Sequence, residues 1–134
     1  MPRPMSTTKG FSRGKKFFER LVREAVASLP EELKNQLENV AIMIEENPPA
    51  HATVGEDPGQ DLLGLYNGIM KKDRGFGYGN VLPDQIIIYR KPLERMSSSL
   101  DDLRENVRQT VIHEIGHYFG FDEEELQRLE EENF

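Results

Sequence analysis

The chain has 134 residues, one domain's worth of polypeptide, which can bury about two thirds of its unfolded surface without a metal or disulfide staple. Apolar residues make up 37% and charged residues 31%, and the net charge of −7 argues against a nucleic-acid partner. With no cysteine, disulfide frameworks, thiolate metal sites and cysteine nucleophiles are excluded, and no apolar run approaches the roughly 18 residues of a membrane span.

Met1 to Gly10 lacks the apolar core of a signal peptide, so a soluble, cytoplasmic protein is expected, with a flexible arm over 1–12 and one domain over 13–134. Phe17, Leu21, Ala25 and Leu29 recur at steps of four, with Phe18, Val22 and Val26 beside them, which predicts a core-packed helix over about 13–28. Pro30 stops it and opens a short second helix, with Glu31 and Glu32 in the first turn and Leu33 and Leu37 facing inward. Val40 to Glu45 reads as a buried strand. Residues 50–60 read as a loop, Leu62 to Ile69 as a second strand, and the glycine-rich 71–80 as a hairpin connection. Gln85 to Arg90 is the clearest strand, closed by Pro92. Its Ile86-Ile87-Ile88 run fits either a sheet edge or a central strand buried on both faces.

Ser98 and Ser99 each precede an acid by three residues (Asp101, Asp102), the capping-box pattern, so a helix starts there. Its core stripe is Leu103, Val107, Val111 and Ile115, and Gly120 ends it. A last short helix starts at about Glu123. Charge is uneven. Residues 1–24 hold seven basic and two acidic side chains, and 121–134 hold seven acidic side chains against Arg128 alone. The plain reading is two solvated faces of opposite sign.

The informative segment is His113-Glu114-Ile115-Gly116-His117-Tyr118-Phe119-Gly120-Phe121-Asp122-Glu123. Residues four apart share a helix face, so His113 and His117 can reach one ion at about 2.0–2.1 Å each. Glu114, next in sequence but rotated off that face, can sit beside an activated water as general base without being a ligand. This is the H-E-x-x-H pattern of zinc peptidases in the helical setting it requires. A catalytic zinc takes a third protein ligand. Thermolysin-type zincins draw it from a glutamate on a separate later helix, whereas the metzincin pattern continues x-x-G-x-x-H. Here Gly120 occupies the glycine place and Glu123 the final place, which makes Glu123 the favoured third ligand. Asp122 competes with it, but Asp122 and Glu125 have the look of an N-cap and its capping-box partner. His51 stands apart in a polar loop.

The sequence resembles the small bacterial metallopeptidases called minimal zincins. The core match is His113-Glu114-x-x-His117-x-x-Gly120-x-x-Glu123, with support from Ala25 to Leu33, Gly64-Leu65-Tyr66, Pro83-Asp84-Gln85-Ile86 and Tyr89-Arg90, together spanning about 15–125. The resemblance implies a small α/β (α+β) domain, a mixed sheet packed against an active-site helix and N-terminal helices. It also implies His113, His117 and Glu123 as ligands of Zn2+ and Glu114 as the catalytic acid–base. It supplies no substrate beyond an unidentified peptide or protein.

The expected activity is therefore a zinc-dependent peptidase or small amide hydrolase, in which a metal-activated water attacks a carbonyl and Glu114 takes its proton. Tyr66, Tyr78 and Tyr118 are candidates to stabilise the oxyanion. A non-enzymatic zinc-binding module that kept the site is the alternative. A metal-dependent ribonuclease is the weaker one: a bacterial RNA-processing family has a similar His-x-x-x-His-x-x-Gly helix, but with a third histidine and no glutamate after the first.

Overall fold

The computed structural model describes residues 10–37, 39–50, 62–68 and 83–131. Its elements are α1 (Lys15–Ala27), α2 (Glu31–Lys34), β1 (Val40–Glu45), β2 (Gly64–Asn67), β3 (Asp84–Tyr89), α3 (Arg90–Met96), α4 (Leu100–Phe119) and α5 (Glu123–Glu131). The result is a small α+β domain with a three-stranded mixed sheet, as expected. None of the described helices is long and apolar enough to cross a membrane.

The residues of α4 explain its central place. Leu103, Val107, Val111, Ile112 and Ile115 are all fully buried, and Thr110, Glu114, Gly116, Tyr118 and Phe119 are buried as well. A helix apolar on several sides must be covered on several sides. It packs against α1, α3, α5, β2 and β3. Ser99 caps it, its hydroxyl accepting from the Asp102 N–H at 3.1 Å, while Asp102 in turn accepts from the Ser98 N–H at 2.9 Å. α1 presents Phe18, Leu21, Val22 and Ala25 to the same core, and Phe17 and Val26 flank them half-covered.

Among the described strands the order is β1-β3-β2, with β1 parallel and β2 antiparallel to β3. The isoleucine run of β3 is therefore central, buried on both faces, and β2 is an outer strand. Ile86 and Ile88 face α4's core, whereas Met43, Ile87 and Leu65 pair across the opposite face. β3 runs straight into α3, a helix that sequence patterning leaves out. Pro92 reads as a strand stop, yet it is the third residue of this helix, within the first turn where a missing N–H costs no helical hydrogen bond. Arg90 fastens the junction, its guanidinium donating to both Glu46 and Glu94 carboxylates at 2.6–3.2 Å. That hydrogen bond holds Glu46 below the ordinary carboxylate range.

Gly120 adopts the left-handed conformation, φ 80° and ψ 27°, that ends a helix by turning its chain. The Phe121 N–H then returns to the Gly116 carbonyl at 3.0 Å. Asp122 and Glu125 make the expected reciprocal box, each main-chain N–H donating to the other's carboxylate at 2.8 Å. α5 lies close enough to α4 that a Cβ at Gly116 would run into the Leu126 side chain. Two substitutions separate these effects by urea denaturation. Asp122→Ala loses a cap and costs about 1 kcal/mol. Gly116→Ala overfills the α4–α5 contact and costs about 1–3 kcal/mol.

Candidate metal centre

His113, Glu114 and His117 lie near the end of α4, the glutamate buried and the two imidazoles partly covered. Helical spacing by four stacks the histidines on one face, with ring centroids 4.7 Å apart and planes at 82°. One donor atom from each of the three residues lies within 4.8 Å of the other two. Two imidazoles at that spacing suit a divalent ion of the zinc type, with the Glu114 carboxylate close beside them. The residues present therefore fit a metal.

Glu114 is held where α4 meets β2. The Tyr89 N–H donates to the Leu63 carbonyl at 3.0 Å, so in the antiparallel ladder residues 63, 65 and 67 turn their main chain toward β3. Gly64 and Tyr66 turn theirs away from it. The Tyr66 N–H, released from the sheet in this way, donates to the Glu114 carboxylate. Gly64 makes the approach possible: a Cβ there would lie 2.9 Å from Thr110 Cγ2 and 3.2 Å from Glu114 Cγ. Burial dominates the electrostatics and raises the Glu114 pKa from 4.5 to about 7, against the opposing pull of His113 and the Tyr66 N–H. A carboxyl poised near neutrality is what proton transfer at neutral pH requires.

His117 shifts the other way. Burial and the neighbouring His113 lower its pKa, and the Glu123 carboxylate raises it. The neutral imidazole that a metal needs is therefore favoured. Glu123 is outside the three-residue donor set, exposed in the first turn of α5, but near enough for its charge to act on His117. Asp122 is occupied in the capping box.

The tyrosine candidates divide. The Tyr66 hydroxyl donates to Asp84 Oδ2 at 2.6 Å, so its proton is directed into the sheet. Tyr118 is fully buried, edge-on to Tyr66 with centroids 6.2 Å apart and to Phe119 at 5.2 Å. Tyr78 and His51 lie outside the described residues. Sequence reasoning assigned no role to Gly64, Gly116 or the Tyr66 main chain. The available signal was a glycine inside a long helix and another inside a strand, which mark close backbone approach.

A family profile described as "Zincin-like metallopeptidase" matches residues 37–133. No curated protein matches the chain. A conserved hypothetical protein from Thermus thermophilus is similar in structure, with a TM-score of 0.51 and 24% identity, covering 77% of this chain and 91% of that one. This likeness speaks for the fold alone. The profile runs from the end of α2 to past α5 and takes in the histidine pair with its buried glutamate, and on that ground the chain belongs to the zincin-like metallopeptidase family.

Proposed function

We propose that the protein is a zinc-dependent peptidase or small amide hydrolase, with His113, His117 and Glu123 holding the metal and Glu114 as general base. The observation that carries this reading is Glu114 itself, a buried carboxyl with a pKa of about 7 within ligand distance of two imidazoles. A structural zinc site needs no such group. Zinc, when bound, supplies Lewis acidity that makes water acidic near neutral pH and polarises a carbonyl. Glu114 then accepts a proton on its carboxylate and returns it to the leaving amine, oriented meanwhile by the Tyr66 N–H. Gly120 and the α5 cap bring Glu123 back toward His117, which supports it as the third ligand.

Strand β2 supports a peptide as the substrate class. It is an outer strand of the described sheet, it lies against α4, and Gly64 and Tyr66 turn their main chain away from β3, the Tyr66 N–H being already given to Glu114. An extended peptide is the ligand that pairs with such an edge. One observation favours the second reading, a zinc-binding module without turnover. Tyr66 is committed to Asp84 and Tyr118 is fully buried, so neither hydroxyl is offered to an oxyanion.

Zinc titration against a competing chelator tests the ligand set. The expected result is about one zinc per chain, lost in the His113→Ala, His117→Ala double variant, with affinity falling as pH drops below about 6.5 because imidazoles must be neutral to bind. Glu123→Ala weakens zinc much more than Asp122→Ala does. Equal losses would move the third ligand off Glu123.

Glu114→Gln separates chemistry from binding. With zinc the variant keeps the metal and loses hydrolysis of a quenched peptide library; retained activity would remove Glu114 as base. Without zinc the two proteins differ in pH dependence. The raised pKa means the native state keeps a proton that the unfolded chain releases above 4.5. Wild-type stability therefore declines between pH 4.5 and about 7, and the glutamine variant lacks this decline. Above pH 7 the chelated variant is more stable, by up to about 3 kcal/mol, in urea melts.

A further inference from the structure

Strand β2 has four residues, begins at Gly64 and is followed by Gly68. Short, glycine-bounded strands specify their own register weakly. Yet register decides this site. A slip of one residue would point the Tyr66 N–H at β3 and move its ring to the other face of the sheet.

One side-chain contact distinguishes the observed register from a slip of one residue, which would put its two partners on opposite faces. Tyr66 pairs with Ile86, and Asp84, two residues earlier on β3, lies on the same face. There the Tyr66 hydroxyl donates to Asp84 Oδ2 at 2.6 Å. Asp84 is itself pinned. It is 4% exposed, its N–H donates to the Asn39 carbonyl at 3.0 Å, and its carboxylate sits so close to Gly68 that a Cβ there would lie 2.5 Å from Oδ1. The Tyr66 ring rests edge-on against Tyr118, the neighbour of His117 on α4. A hydrogen bond from a neutral hydroxyl to a buried carboxylate is charge-assisted and among the stronger ones available.

We propose that Tyr66 and Asp84 are positioning residues, whose side-chain hydrogen bond holds β2 in the register that turns the Tyr66 main chain onto Glu114. The consequence for hydrolysis rests on the reading of Glu114 as general base. The register lock itself does not. It makes Gly64-Leu65-Tyr66 and Pro83-Asp84-Gln85-Ile86, widely separated in sequence, one unit behind the histidine pair.

The test is amide hydrogen exchange on the zinc-supplemented full chain, followed by NMR at residues 66, 86 and 88. Tyr66→Phe removes one oxygen and keeps the ring. The residue-66 amide then exchanges faster by about tenfold or more, while Ile86 and Ile88 stay within about threefold, because the opening is local to β2. Asp84→Ala gives the same pattern, and Asp84→Asn, which keeps an acceptor oxygen, restores protection at residue 66. In parallel, hydrolysis of the quenched peptide library falls in kcat with KM unchanged in Tyr66→Phe.

Unchanged exchange at residue 66, or equal acceleration at 66, 86 and 88, overturns the proposal. So does loss of the fold in both Tyr66→Phe and Asp84→Ala, since the bond would then be a folding requirement and not a local device. If wild-type protein cleaves no peptide while residue 66 responds as stated, the hydrolase reading fails and the register lock stands.

Discussion

The burial of Glu114 against an outer strand is the constraint on which the rest of this structure depends. A carboxyl there is costly unless protonated or hydrogen-bonded, and among the described residues a main-chain N–H from Tyr66 donates to it. That N–H is available because the antiparallel register of β2 turns it away from β3. The strand can come so near because residue 64 has no side chain. The near-neutral carboxyl is thus a product of burial, which outweighs the lowering by His113 and by the Tyr66 N–H.

The same economy shapes the other side of the helix. Gly116 lies between the two histidines and lets Leu126 of α5 settle on α4. Gly120 supplies the left-handed turn, and the Asp122–Glu125 box fixes where the next helix starts. Together they return an acidic first turn toward His117, whose pKa registers the Glu123 charge. Stability and site assembly are linked here. A lost cap or an added methyl in this corner loosens the helix that carries Glu123.

α4 ties the two halves together. Its apolar residues are covered by α1, the sheet and α5, so the site rides on a helix packed on several sides. Sites placed on rigid elements hold their geometry without help from loops. The Arg90 fork between Glu46 and Glu94 ties β1, β3 and α3 in a similar way.

The histidine pair, its glutamate and the helix that carries them were legible in the sequence because an i, i+4 spacing is a local property and a helix translates it directly into shared facing. The same holds for the capping serine and the Asp122–Glu125 box, whose partners lie within a few residues; Val40 to Glu45 is a strand as expected but only half-buried, because its cover depends on its outer place beside β3. The α3 helix was hidden by Pro92, since a proline's meaning depends on whether it falls in a first turn or an interior. Local spacing could not say that β3 is central, that the Tyr66 N–H reaches Glu114, or that Tyr66 spends its hydroxyl on Asp84. Those depend on strand register and close approach between segments 18 or more residues apart. Register is chosen by the packing of the whole sheet on α4, so only the tertiary structure decided them.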